Sequence, residues 1–465
     1  MLTHEAQLEV GAASENVTPD GPVQLAGYGG RENPSTGAHD EIFSTALVLD
    51  DGAVTVGLVA VDVLNVSREM TARIRRTLAD EGIAFDELLL AASHTHAGPY
   101  VPARALDVSP VLGPDVDVSE DVAELEAGIV RSIRRAHERC EPAQIAVGHA
   151  EESTVPNNRR ASGGVAGFVR VPHGPIDPEV VALDVETASG DRTVVYNFAC
   201  HPVCTTGQET LVSSDWPGYA RERIESELGA RALFVNGAAG DINPSGRNDG
   251  ATSGEPVYEF MEETGIRVGD AVVEAVENAG SPIESAPIHA DGADLRFSVK
   301  ETPPVEAIRA RIEELEAECE RLSEAGDDAG YAAAHADLRY AGELLNIAEW
   351  DATCLPNRVP YVEFGDVGVL GMPGEIGVRH GLRFKDRARV STLLPAGYVN
   401  DYVGYVPTLG DLEHTGYEVR TMKVDPDAIV EFREAGLDLV DGGGRPGAGG
   451  GRPGAGGRRW GGSRS

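Results

Sequence analysis

Two histidines spaced i, i+2 end an apolar run, Leu88-Leu89-Leu90-Ala91-Ala92-Ser93-His94-Thr95-His96-Ala97-Gly98-Pro99, which Gly98-Pro99 then stops. Alternate residues of a strand leave the same face, so an extended His94 and His96 project together. Two imidazoles at a strand end suit a metal site or an acid/base pair, and the residue types leave the two equal as ligands. A second apolar strand, Val194 to Ala199, runs into Cys200-His201-Pro202. A third, Val367 to Gly371, turns through Met372-Pro373-Gly374 and puts the Glu375 carboxylate near a predicted helix start, where the dipole favours the ionised form. Arg159 and Arg160 sit in a loop after Pro156, where an arginine can serve an anionic group or a developing oxyanion. Asp62 ends another apolar strand and reads as the cap of the helix that follows it. Tyr398, Tyr402 and Tyr405 crowd one loop in a chain with only 5% aromatics, and Tyr417 follows. The small residues from Asn236 to Pro244 lack the Lys-[Ser/Thr] of a phosphate loop and read as a close backbone approach to substrate.

The elements that must position these groups alternate in type. Phe43 to Leu49 and Val54 to Val61 read as a hairpin across Asp50-Asp51-Gly52. Helical spacing covers about Ser67 to Leu78 and Glu120 to Cys140, and a helix opens after Ser213-Ser214-Asp215 and runs to Leu228. The alternation predicts an α/β fold, a mixed, partly parallel sheet flanked by helices, with chemistry at the carboxyl ends of strands. Residues 304–349 differ: Val305, Ile308, Ile312, Leu315, Cys319 and Leu322 make one seam. Tyr331, Ala334, Leu338, Ala341 and Leu345 make a second. This predicts an inserted antiparallel helical hairpin, used for homodimerisation or to lean over the site. Residues 1–436 form the globular unit. Residues 437–465 form a Gly/Arg-rich tail, with Gly-Gly-Arg-Pro-Gly-Ala-Gly-Gly at 443–450 and 450–457, that cannot build a core.

The 465 residues carry a formal net charge of -37, and only Lys300, Lys385 and Lys423 are lysine. So acidic a body excludes nucleic acid and anionic membrane as its partners. Self-repulsion on this scale is relieved by molar salt, which points to a halophile's intracellular protein. Met1 to Ala6 has neither the basic nor the apolar part of a signal peptide, no run is long enough to span a bilayer, and five scattered cysteines suit a reducing compartment. A cytoplasmic location is expected.

Taken in order over most of residues 7 to 425, several of these motifs resemble the neutral, non-lysosomal ceramidase family, here as a diverged, haloarchaeal-type member. They are the strand-end histidines, Ser213-Ser214-Asp215, the Asn236 to Pro244 loop, Pro373-Gly374-Glu375 and the tyrosine stretch from Tyr398. The resemblance implies one catalytic zinc per chain held by His94, His201, Glu375 and Tyr405, with Tyr402 close enough in sequence to compete for the fourth place. It places His96, Arg159 and Tyr417 around the scissile amide. It implies zinc-dependent hydrolysis of a linear N-acyl amide, with a small-molecule or lipid-like substrate. His96 would move protons, and Arg159 and Tyr417 would stabilise the tetrahedral oxyanion. Asn243 stands where the family has a serine beside the active site, which excludes a serine nucleophile and leaves the zinc-activated water. The C-terminal β-sandwich of the family's characterised enzymes has no counterpart, since the Gly/Arg tail follows instead. Three rivals remain: a two-metal phosphoesterase using Asp62, His94, His201 and Asp241, a catalytically inactive family member, and a scaffold built on the helical hairpin.

Overall fold

The computed structural model describes residues 7–28, 31, 33–106, 116–160, 174–245, 254–414 and 416–442. An eight-stranded sheet is built from β1 (Glu9–Asn16), β2 (Phe43–Asp50), β3 (Thr55–Val61), β4 (Glu87–Ala92), β5 (Glu141–Glu151), β6 (Glu179–Thr187), β7 (Arg192–Phe198) and β8 (Arg231–Asn236). Its order is β8-β7-β6-β5-β1-β2-β3-β4. The pairs β3–β4 and β7–β8 are parallel and the rest antiparallel. Each parallel pair needs a crossover, supplied by α1 (Arg68–Asp80) and α3 (Trp216–Leu228). A four-stranded sheet comprises β9 (Ile288–Ser298), β10 (Cys354–Phe364), β11 (Val367–Gly371) and β12 (Thr392–Ala396) in that order, with β11–β12 parallel around α7 (Val378–Arg387).

Strand alternation explains the layering. Leu47, Leu49, Leu58 and Leu89 from one face of the large sheet meet Val362, Phe364, Val369 and Leu394 of the small one, making an inter-sheet core. The opposite face of the large sheet presents Ala46, Val48, Val59 and Leu90 to α1 and α2 (Ser119–Glu138). Further along, Ala182, Val194, Tyr196 and Phe234 pack on α3 and α4 (Glu255–Glu277). The outer face of the small sheet is covered by α7 and α9 (Pro426–Val440) through Phe384, Ile429 and Phe432. The result is a mixed, partly parallel α/β fold in four layers. One side of the large sheet is flanked by helices as expected, and the other is covered by a second sheet. Both inner strand faces are apolar, a pattern that a sequence cannot distinguish from helix cover.

Two further helices, α5 (Val305–Ala325) and α6 (Asp328–Glu349), pack on one another through Cys319, Leu322, Ala334 and Leu338. Arg309 near the start of α5 pairs with Glu349 at the end of α6, so the two run antiparallel. A short helix, α8 (Tyr417–Thr421), precedes α9, which reaches the buried Val440, four residues into the segment 437–465. Residues 443–465 lie outside the described residues. Asp62 is not the cap of α1: Ser67 is, accepting from the Met70 N–H at 3.2 Å. Asp62 instead accepts from Arg221 Nη1 and from the Phe43 N–H, each at 3.0 Å, and so ties α3 to β2. No helix among the described residues is long and apolar enough to cross a membrane.

Candidate metal centre and active site

The loops bearing the histidines, Glu375 and Tyr398 each follow the carboxyl end of a strand in one of the three parallel pairs of the two larger sheets. β4 ends at Ala92, so His94 and His96 lie beyond the strand and do not share a strand face. They converge because His94 takes a left-handed conformation, φ 72°, while its N–H bonds the Val63 carbonyl at 2.9 Å. The imidazole rings of His94 and His96 are then 5.0 Å apart, and those of His94 and His201 4.8 Å apart. One ligand atom from each of His94, His96 and His201 lies within 4.8 Å of the other two.

Two of these rings have their tautomers fixed by the backbone. Nδ1 of His94 donates to the Leu64 carbonyl at 2.7 Å, and Nδ1 of His201 donates to the Ala239 carbonyl at 2.6 Å. A carbonyl oxygen only accepts, so the proton sits on Nδ1 and each Nε2 turns a lone pair toward the site. Burial, with Arg159 nearby, holds His201 down to about 4, so it is neutral at pH 7. Glu375 Oε2 lies 3.1 Å from His201 Nε2 and 3.7 Å from His94 Nε2, and the latter nitrogen is buried without a hydrogen-bond partner. Glu375 is not at a helix start as the sequence suggested. It belongs to the two-residue strand Glu375–Ile376, which pairs with Tyr405–Val406, and α7 begins at Val378. Gly374 permits this turn: its φ is 132° and a Cβ there would lie 2.7 Å from the Gly404 carbonyl oxygen.

The tyrosine loop is fastened to the His94 strand by Asn400. Its side chain donates to the Leu88 carbonyl and accepts from the Leu90 N–H, each at 2.8 Å, imitating a neighbouring strand. Tyr398 thereby stacks on the His94 ring at 4.0 Å. The Tyr402 hydroxyl donates to Glu375 Oε1 in a very short contact. The Tyr405 hydroxyl accepts from Arg159 Nη2 at 3.0 Å, and Tyr417 packs edge-on against Tyr405, ring centroids 5.3 Å apart. Burial raises all three phenols, and the Glu375 charge adds to it.

Arg159 and Asn243 lie behind the cavity wall and not on it. Arg159 is buried and donates to Glu418 Oε1 at 2.9 Å, Asn243 Oδ1 at 2.9 Å and the Gly240 carbonyl at 2.8 Å, besides Tyr405. Its donors meet protein acceptors, the Tyr405 hydroxyl among them. Glu418 escaped the sequence reading because nothing marks it among 76 acidic residues; the adjacent Arg159 and Arg160 were the available signal, since Glu418 binds both. Arg31 was missed too; its Nη1 donates to the carbonyls of Ala26 and His96 at 2.6 and 2.7 Å, tying two site loops together. Of the rival metal set, Asp62 is paired with Arg221. Asp241 accepts from the Val378 N–H at 2.7 Å and from Asn158 Nδ2 at 2.9 Å, so it caps α7.

The cavity, about 150 Å³, is lined by His94, His96, Glu375, Tyr402, Tyr405 and Tyr417 at its polar end. Leu64, Ala105 and Leu106 form an apolar side, and Arg339 and Glu343 of α6 and Lys423 complete the rim. Of the helix pair, α6 thus contributes to the cavity lining.

The family model described as neutral/alkaline non-lysosomal ceramidase, N-terminal, matches residues 8–256. The neutral ceramidase of Mycobacterium tuberculosis is 24% identical over 473 residues, spanning 88% of this chain and 73% of that one. The neutral ceramidase of Pseudomonas aeruginosa is 24% identical over 481 residues, 90% of this chain and 69% of the relative. The crystal structure of the neutral ceramidase from Pseudomonas aeruginosa superposes with a TM-score of 0.73 at 20% identity, covering 94% of this chain and 74% of that one, which establishes a shared fold. The model match extends over more than half of the sequence, and the chain belongs to the neutral/alkaline non-lysosomal ceramidase family.

Proposed function

We propose that the protein is a zinc-dependent hydrolase of linear N-acyl amides, with His94, His201 and Glu375 holding one ion per chain and Tyr405 as fourth ligand. The observation that carries this is the meeting of the Nε2 atoms of His201 and His94 with the Glu375 carboxyl oxygen, 3.1 and 3.7 Å away, in a buried site. Three electron-rich atoms at that separation repel unless a cation lies among them, and two imidazoles with one carboxylate are a common catalytic zinc set. Tyr405 is preferred over Tyr402 because the Tyr402 hydroxyl already holds Glu375 Oε1. Zinc bound there supplies a water acidified to a pKa of about 7 and a Lewis acid for the amide carbonyl.

The remaining work falls to the chain's own residues. His96 is half-buried on the cavity wall, its ring 5.9 Å from that of His201, and it carries the proton from the attacking water to the leaving amine. Tyr417 lines the cavity beside Tyr405 and stabilises the tetrahedral oxyanion. Arg159, fixed by Glu418 and Asn243, acts on the site through Tyr405. Asn243 thus has a task in place of the family's serine, as the amide oxygen that receives Arg159 Nη1.

Elemental analysis with a parallel assay of fatty-acid release from N-dodecanoyl amides tests the proposal. About one zinc per chain is expected, lost in His94→Ala, His201→Ala and Glu375→Ala together with hydrolysis. Two ions per chain with phosphoester cleavage would select the phosphoesterase instead. Zinc without turnover on any acyl amide would mark an inactive family member.

A further inference from the structure

We propose that Arg339 on α6 forms an anion subsite at the mouth of the cavity, so that the preferred substrate is an N-acyl amide whose amine portion carries a carboxylate. This rests on the amide-hydrolase reading above and names its substrate class.

The argument starts from charge. In a chain of net charge -37, Lys423 and Arg339 line this cavity, and Lys300 is bonded through its N–H to the Lys423 carbonyl and through Nζ to that of Arg420, which brings four cations together. Two carboxylates answer these four cations. Lys423 Nζ pairs with Glu343 at 2.7 Å, and Arg420 Nη2 pairs with Asp337 at 2.6 Å while stacking 3.8 Å over Tyr340. Lys300 Nζ donates to the Arg420 carbonyl at 3.2 Å, and burial first, with the neighbouring Lys423, presses it down to about 8. Arg339 has no carboxylate within ion-pair distance among the described residues; its guanidinium carbon lies 6.0 Å from the Tyr340 ring, and it lines the cavity.

Glu343, one turn further along α6, is the natural i, i+4 partner of Arg339, but it is engaged by Lys423. Arg339, exposed on α6 and touching the Tyr340 side chain, thus lines the cavity with its charge unmatched by a carboxylate, and a guanidinium binds a carboxylate in two-pronged fashion. The apolar part of the lining, Leu64, Ala105 and Leu106, takes an apolar chain. A molecule with an acyl tail on one side, an amide over His96 and Glu375, and a carboxylate toward α6 matches this polarity. An N-acyl amino acid is such a molecule. Its hydrolysis breaks the acyl C–N bond, the water oxygen going to the acyl carbon and a proton to the departing nitrogen.

The test compares N-dodecanoylglycine with N-dodecanoylethanolamine, as substrates of the zinc-loaded enzyme and as ligands of the His96→Ala variant by isothermal titration. The expected result is a preference for the glycine conjugate of roughly tenfold or more, the worth of one charge-assisted hydrogen bond. It should lie in KM rather than kcat and shrink as salt is raised. Arg339→Ala should collapse the preference toward one and Arg339→Glu should invert it. Arg311→Ala, an exposed arginine on α5 paired with Glu314, should keep it. Hydrolysis of both substrates without charge preference, or a preference untouched by Arg339→Ala, overturns the subsite and leaves the amidase reading standing. Charge-selective binding with no hydrolysis of either compound overturns the amidase reading and leaves the subsite.

Discussion

Glu418 offers the sharpest test of how the site is held together. Its side chain and that of Arg159 are 5% and 2% exposed and meet at 2.9 Å, so solvent screening takes little from their interaction. Removing one partner of such a buried pair costs about 3–5 kcal/mol, because the other charge is stranded away from water. Arg159 keeps three neutral acceptors in Asn243, Gly240 and Tyr405, which places Glu418→Ala near the lower end, about 3 kcal/mol. Glu418→Gln retains an acceptor for Nε–H and loses the charge, so about 1.5–2 kcal/mol is expected. Arg159→Met leaves Glu418 with Arg160 at 3.0 Å. The double variant carrying Arg159→Met and Glu418→Ala should be less destabilised than the two changes added, by about 2 kcal/mol. Urea unfolding at fixed salt, followed by tryptophan fluorescence, compares these variants with wild type, with unchanged slopes as the condition for comparing midpoints. If Glu418→Ala lies within about 1 kcal/mol of wild type, or the two changes simply add to within about 0.5 kcal/mol, the buried-pair reasoning is wrong.

Gly27 has φ 94°, and a Cβ there would lie 2.5 Å from His96 Cγ, so Gly27→Ala must push the imidazole aside. Turnover should fall about a hundredfold with zinc content unchanged, and a kcat within about twofold of wild type would remove His96 from the proton path. Burial raises the Asp241 carboxyl from the ordinary 3.8 to about 6. A raised folded-state value contributes stability that is full below about 4 and lost as pH rises through about 6, roughly 3 kcal/mol in all. Asp241→Asn should flatten Tm against pH over that interval, and an unchanged slope would refute the assignment. The charge of -37 predicts loss of helical circular dichroism below about 0.5 M salt, and full structure in dilute buffer would contradict a salt-dependent fold.

The elements were legible wherever local patterning decides them. The hairpin of β2 and β3, α1, α2 and α3 all begin and end within a few residues of where spacing and turn residues put them. The second sheet was not legible as a layer, because an apolar strand looks the same whether a helix or another sheet covers it. Within the site, His94, His201, Glu375 and the tyrosines are brought together as their strand-end positions suggested, but by other means. His94 needed a left-handed backbone and Glu375 a two-residue strand, and both depend on contacts with segments far away in sequence. Asp62 looked like a cap because its true partners, Arg221 and the Phe43 N–H, come from elsewhere in the chain. Arg159 stood out in the sequence but sits one layer further back than expected, since no local pattern reveals that Glu418 waits behind the wall.

The convergence has a topological cause. Parallel neighbours place their carboxyl ends side by side, and the three parallel pairs within the two larger sheets are places where this fold brings two chain reversals to the same edge. β3–β4 supplies Leu64 and His94, β7–β8 supplies His201 and its Ala239 acceptor, and β11–β12 supplies Glu375 and Tyr398. In the first two pairs, one reversal delivers the imidazole and the other the carbonyl that fixes its tautomer. Each histidine is thus oriented by the pair that carries it, before any ligand is present. An all-antiparallel sheet would separate those reversals onto opposite edges, and the same residues would then have no means of presenting two Nε2 lone pairs to one carboxylate.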